Sequence, residues 1–294
     1  MNQSDPGAMK TLGVYLFGQA KKLSLKFKKA PTMKDLMMVY YSEAKSAKVT
    51  GRKVAWITSG GPVEPLIAMG VIPVYPENHG AMIGASKMGA GLCEKAEAMG
   101  YSNDLCSYAR SDIACATVNG GPIGGLPRPD MLVCCNNICG TVLKWYETQA
   151  RYFNVPLFIL DTPFCHTGYF EEAARYVRSQ IDEYIQFIED VCGKKYDFER
   201  LREVGLLSFE GQKLWQEVLD TAAVRPAPMS AFDAFYHLAL IVTLRGTKTA
   251  VSYYRNLLAQ MQDRVARGIG VVPRSISTKA ALSIPWPKPT RGFI

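Results

Sequence analysis

Seven of the eight cysteines in this chain of 294 residues fall between positions 93 and 165, a concentration of thiols that asks what chemistry it serves. No pair has CxxC spacing, so neither a zinc knuckle nor a thioredoxin-like redox pair is indicated. Cys135 and Cys139 stand four apart, and Cys106 lies in the polar run Ser102–Tyr108. Thiolates drawn from separate loops can hold an iron–sulfur cluster. Free cysteine also serves as a small buried hydrophobe, and spacing alone leaves both readings open. Glu77 and His79 form a candidate acid/base pair, set against a glutamate that is simply solvated. Ser59–Gly60–Gly61 is either a phosphate cradle ahead of a helix or a tight strand-to-helix turn, since it lacks both GxGxxG and a P-loop lysine.

The elements that must position these residues follow from the apolar pattern. Four short runs rich in β-formers recur at 54–58, 71–75, 131–135 and 157–161. Helix-like stretches at 65–69, 82–99 and 141–153 lie between them. Strands alternating with helices predict βαβ units and a mainly parallel sheet. Pro73 inside the second run places that strand toward an edge. Ligands of open parallel sheets sit beyond the carboxyl ends of the strands. That rule selects four loops: 59–62, 76–80, 135–140 and 162–166, the last with Cys165 and His166.

Beyond Gly168 the strand signal stops. Val177, Ile181, Tyr184, Ile188 and Val191 alternate in steps of four and three, an amphipathic helix, with Gly193 as a C-cap. Helical patterns continue over 198–223 and 233–267, separated by the breaker at 225–228. The reading is α/β: a parallel sheet domain over 51–168, preceded by a helical segment over 1–50 and followed by a helical region over 169–270. Residues 271–294 form a Pro-rich basic tail.

Composition excludes several classes. At 48% hydrophobic and 20% charged, the chain reads as a globular protein with a sizeable core. No apolar run approaches the ~20 residues of a membrane span. No secretory signal is visible, so a cytoplasmic protein without disulfides is expected. The net charge of +8 resides at the ends: the first 50 residues hold nine Lys/Arg against three Asp/Glu, and residues 271–294 hold four bases and no acid. The remainder is slightly acidic, and the lysines at 21–29 read as a solvated helix face, so nucleic-acid binding is not expected.

The run from Gly100 to Tyr108 (GYSNDLCSY) resembles the GYS-x-D-x-CSY motif of the 2-hydroxyacyl-CoA dehydratase/benzoyl-CoA reductase family. Leu126–Asp130, then Cys135–Cys139, Lys144–Glu147 and Pro156–Phe164 follow in that family's order. The resemblance covers roughly residues 35–270. It implies flavodoxin-like α/β domains joined by helices and a [4Fe–4S] cluster held by three cysteines. Two of these match Cys106 and Cys139, 33 apart. The third belongs to a C-terminal α/β domain that the resemblance leads one to expect missing here. It also places Ser59 and Glu77 on the wall of the acyl-CoA pocket.

The implied partners are a homologous second subunit, a separate ATP-dependent iron–sulfur activator and an acyl-CoA substrate. The implied reaction uses low-potential single electrons to form a thioester or aryl radical anion. Residues 227–247 look closer to benzoyl-CoA reductase subunits, of the B type. A 2-hydroxyacyl-CoA dehydratase subunit is the alternative, beside a non-catalytic remnant or a plain acyl-CoA-binding domain.

Overall fold

A computed structural model describes residues 31–118, 120–166 and 168–271. The expectations for 1–30 and 272–294 lie outside the described residues. The four apolar runs become strands β1 (Val54–Ile57), β2 (Ile72–Val74), β3 (Met131–Cys135) and β4 (Leu157–Leu160). They form one parallel sheet in the order β2-β1-β3-β4. Trp56 lies opposite Val74 on one side and Leu132 on the other. The two central strands are buried at every position, as expected where both faces of a parallel sheet are covered. Pro73 lies in β2, at an edge, where a missing N–H costs no ladder bond.

Helices cover the sheet. The first is α1 (Met33–Lys45), opened by a capping box between Thr32 and Asp35. It buries Met33, Leu36, Tyr40 and Ala44 and is tied to β2 by the Tyr40 hydroxyl on the Pro73 carbonyl at 2.8 Å. Next come α2 (Ala47–Thr50), α3 (Glu64–Ala68), α4 (Pro76–Ala85), α5 (Gly89–Ala98), α6 (Ser107–Val118), α7 (Gly140–Phe153) and α8 (Phe170–Cys192). The predicted stretch 82–99 is therefore two helices, broken at Ser86–Met88 where Lys87 takes a left-handed φ of 59°. α8 ends at Gly193 with φ 65°, as its sequence predicts. Phe158 of β4 stacks on Tyr184 of α8 at 5.0 Å.

Contacts divide the described residues into two compact units, with the boundary between Gly205 and Leu206. α9 (Phe198–Asp220) runs from the first into the second. The second unit adds α10 (Ala231–Thr243) and α11 (Lys248–Ala266), splitting the predicted stretch 233–267 at Gly246. The Tyr254 hydroxyl joins them, donating to the His237 carbonyl at 2.7 Å and accepting from the Ile241 N–H at 2.8 Å. No described helix is long and apolar enough to cross a membrane.

Candidate active site

In a sheet ordered β2-β1-β3-β4 the chain winds outward in both directions from β1. The crevice for a ligand therefore opens between the carboxyl ends of β1 and β3. Thr58 closes its floor. Its buried hydroxyl accepts the Cys135 N–H at 3.3 Å, linking the ends of the two central strands.

Ser59 and Glu77 meet here. Pro76 sits at the first position of α4, where its fixed φ suits a helix start. The stretch read as a loop is thus helical, with Glu77 in its first turn. Glu77 Oε2 accepts the Ser59 N–H at 2.6 Å and the Ser59 hydroxyl at 2.8 Å. Burial pushes the Glu77 carboxyl above its ordinary value. The Ser59 hydrogen bonds pull it back, and the charge of Asp112 raises it again.

The cradle reading of Ser59–Gly61 loses two of its three backbone donors to this arrangement. The Ser59 N–H serves Glu77, and the Gly61 N–H serves the Thr58 carbonyl at 2.8 Å. Gly61 is required by crowding, since a Cβ there would stand 2.8 Å from Ile57. The segment is a tight turn. His79 does not pair with Glu77 either: two residues along a helix point to different faces. His79 is fully buried, with Nε2 3.4 Å from the Pro122 carbonyl and Nδ1 3.9 Å from Asp112 Oδ1.

The cysteines sort by burial. Cys93, Cys115, Cys134 and Cys135 are buried, while Cys106, Cys139 and Cys165 are exposed. Burial pushes the Cys134 thiol up to about 12 and Cys115 up to about 11. These behave as core residues.

Cys106 and Cys139 each stand at the head of a helix. The Cys106 carbonyl accepts the Arg110 N–H at 3.1 Å, the first helical bond of α6. Cys139 is the N-cap of α7, its sulfur accepting the Val142 N–H at 3.4 Å. The two helices run parallel. Asp112 Oδ2 accepts Trp145 Nε1 at 2.8 Å and Gln149 Nε2 at 2.7 Å, and further along the Tyr152 hydroxyl donates to the Ala116 carbonyl at 3.2 Å. Pairings that advance together on both helices require parallel axes. Cys106 lies six residues before Asp112, while Cys139 lies six before Trp145 and ten before Gln149, so each thiol stands at the N-terminal end of its helix, roughly two to three turns from the shared carboxylate. The two thiols therefore open on the N-terminal rim of the same helix pair.

Two further contacts tie this rim to its neighbours. Gly80 of α4 receives the Tyr108 ring so closely that a Cβ would stand 2.8 Å from it. The Cys106–Tyr108 segment is thereby pressed onto the helix that carries Glu77. On the other side, Asn136 Oδ1 accepts the Thr162 N–H at 2.8 Å while its amide donates to Asp161. Asp161 also accepts the Tyr176 hydroxyl at 2.8 Å. Past it lies a cavity of about 320 Å³ lined by Pro163, Phe164, Cys165, His166, Tyr169 and Tyr176, among others.

Comparison with known proteins decides the family. The family described as 2-hydroxyglutaryl-CoA dehydratase, D-component, matches residues 58–286. The chain belongs to this family. It is 37% identical over 237 residues to the (R)-phenyllactyl-CoA dehydratase alpha subunit of Clostridium sporogenes, covering 80% of this chain and 58% of that relative. The (R)-2-hydroxyisocaproyl-CoA dehydratase alpha subunit of Clostridioides difficile is likewise 37% identical, over 236 residues, with 80% and 58% covered. A benzoyl-CoA reductase subunit of Thauera aromatica is 30% identical over 249 residues, covering 81% and 57%. The chain thus spans somewhat over half the length of these relatives.

For this member of the 2-hydroxyglutaryl-CoA dehydratase D-component family, the residues present fit an iron–sulfur cluster as two of its ligands. Two exposed thiols share one rim on rigidly paired helices. Among the described residues no group of three or more His, Cys, Asp or Glu side chains gathers to hold a metal. Asp112 and Gln149 escaped the sequence reading, and Trp145 and Asn136 entered it only as members of the motifs at 144–147 and 135–139. The one signal available was the repeated interval of 33 that separates both the two cysteines and the bonded pair Asp112–Trp145.

Proposed function

We propose that the chain is a subunit of an iron–sulfur acyl-CoA enzyme in which Cys106 and Cys139 bind a [4Fe–4S] cluster and Ser59 and Glu77 line the thioester site. The observation that supports this most is the placing of the two thiols at the heads of parallel helices, with Tyr108 joining that rim to the Glu77 helix. A bound cluster would supply low-potential single electrons. Further ligands would have to come from outside the described residues.

This chain's own residues would bind, orient and exchange protons. The Ser59 hydroxyl donates its hydrogen bond to Glu77, so its oxygen is left to accept a hydrogen bond from a substrate donor. Glu77, raised by burial, is suited to take a proton from substrate or return one. The crevice beyond β1 and β3 would exclude water from the thioester. A homologous second subunit and an ATP-dependent activator are the partners proposed, in a cytoplasmic enzyme.

Between the two chemistries, loss of water from a 2-hydroxyacyl-CoA is favoured over ring reduction of benzoyl-CoA, since two dehydratase alpha subunits reach 37% identity against 30% for the reductase. The test is iron and acid-labile sulfide per chain after strictly anaerobic purification, in wild type, Cys106→Ala and Cys139→Ala. About four of each are expected for a [4Fe–4S] centre, lost in either variant. Iron indifferent to both replacements would sink the cluster. Assay of the loaded enzyme with its partners, on 2-hydroxyacyl-CoA and on benzoyl-CoA, separates dehydratase from reductase by product.

A further inference from the structure

The mechanism so far leaves one buried charged group unused. Asp112 is 1% exposed and His79 is fully buried. A carboxylate in the interior is costly unless paired or hydrogen-bonded. Asp112 meets that condition with two side-chain donors from α7, both on Oδ2, while Oδ1 faces His79 of α4 at 3.9 Å. His79 Nδ1 makes no hydrogen bond among the described residues. One carboxylate is thus the meeting point of the three helices that carry Glu77, Cys106 and Cys139.

We propose that Asp112 is a positioning residue, whose carboxylate sets the axial register of α6 against α7 and so fixes where Cys106 stands relative to Cys139. Helices packed through apolar side chains alone tolerate small slides. A bond from one carboxylate to two successive turns of α7, at Trp145 and Gln149, does not. A slide by one turn would offset the sulfurs by about 5.4 Å and leave two buried donors unpaired. The inference rests on the reading that the two thiols share one ligand, but their apposition can be measured without iron.

The experiment uses the full apo chain with Cys165→Ser and Cys192→Ser, so that Cys106 and Cys139 are the reactive thiols. A bismaleimide with a reach of roughly 8–10 Å, the separation of packed helices, should bridge them within one chain. Asp112→Leu should slow bridging by ~10-fold or more, because misplacement lowers effective concentration. Alkylation of each thiol by a monofunctional maleimide should not change. Asp112→Asn, whose amide oxygen can still accept both donors, should restore the parent rate.

Bridging by Asp112→Leu at the parent rate, absence of bridging in the parent, or failure of Asp112→Asn to rescue would each overturn the proposal. Should Asp112→Leu lose its helical circular dichroism, Gln149→Leu takes its place with a smaller slowing, and a parent rate there overturns it equally. Intact bridging in a wild-type chain that takes up no iron would defeat the cluster reading and leave the positioning role standing.

Discussion

The helix heads at Cys106 and Cys139 and the loop at Cys165 all present exposed cysteines, yet they differ in what lies beneath. Under the first pair runs a buried polar network of Asp112, Trp145 and Gln149, with Tyr108 wedged on Gly80 beside it. Cys165 follows β4, the half-buried edge strand, in an irregular segment where Phe164 is 89% exposed. The difference teaches that exposure makes a thiol available but does not fix its geometry. A multidentate ligand needs thiols whose separation is set in advance by structure below them.

The sharpest way to break this comparison is to remove the brace. Asp112→Ala strands Trp145 Nε1 and Gln149 Nε2 in the interior, and an unsatisfied buried donor costs roughly 1–3 kcal/mol. A loss of about 3 kcal/mol in urea unfolding at neutral pH is expected. A loss below ~1 kcal/mol would mean that water or a rearranged side chain satisfies the donors, and that the register is held elsewhere.

Gly80→Ala attacks the neighbouring contact. The new Cβ would overlap the Tyr108 ring near its attachment, where the side chain has little room to swing, so α4 and α6 must part. Overpacking of this kind costs about 1–3 kcal/mol. Iron uptake should fall with it if the Cys106 segment moves. Wild-type stability in the variant would show that Tyr108 is free to leave.

Much of this architecture was legible in the sequence. The central strands announced themselves as continuous apolar runs, and Pro73 marked its strand as an edge. α8 was readable because one face is apolar and the rest charged. α6 was not, for a physical reason: it buries Ser111 and Asp112 along with Ala109, Ile113, Ala114 and Cys115, so most of its circumference is covered and no amphipathic stripe remains. The first turns of α4, residues 76–80, were read as a loop because Pro76, Asn78 and Gly80 are turn formers, although proline suits the first position of a helix. Of the site, Ser59, Glu77 and the two cysteines stood out by type and by family resemblance. Asp112 is one aspartate among many until its burial is seen.

A subtler effect should appear at Glu77. Its carboxyl is raised above the ordinary value by burial, so the folded state holds the proton more tightly than the unfolded chain. Its contribution to stability is therefore fully present below the unfolded value and is lost as pH rises through the folded one. Glu77→Gln removes that titration while keeping an oxygen for the Ser59 donors. The difference in urea midpoint, variant minus wild type, should grow in favour of the variant from pH ~4 to ~8. Growth in the opposite direction would mean that the Ser59 hydrogen bonds outweigh burial.

The smallest effect belongs to the other side of the comparison. Cys165→Ser replaces an exposed thiol that caps no helix and lies in an irregular loop, a class of change that shifts stability by within about 0.5 kcal/mol. Urea midpoint and iron content should both match wild type, while Cys106→Ser lowers iron although both cysteines are exposed. The contrast isolates position from exposure, since both cysteines are open to solvent. Loss of iron in Cys165→Ser would place a third ligand on the β4 loop. It would also show that a thiol without a brace beneath it can be drawn into the cluster by the metal itself.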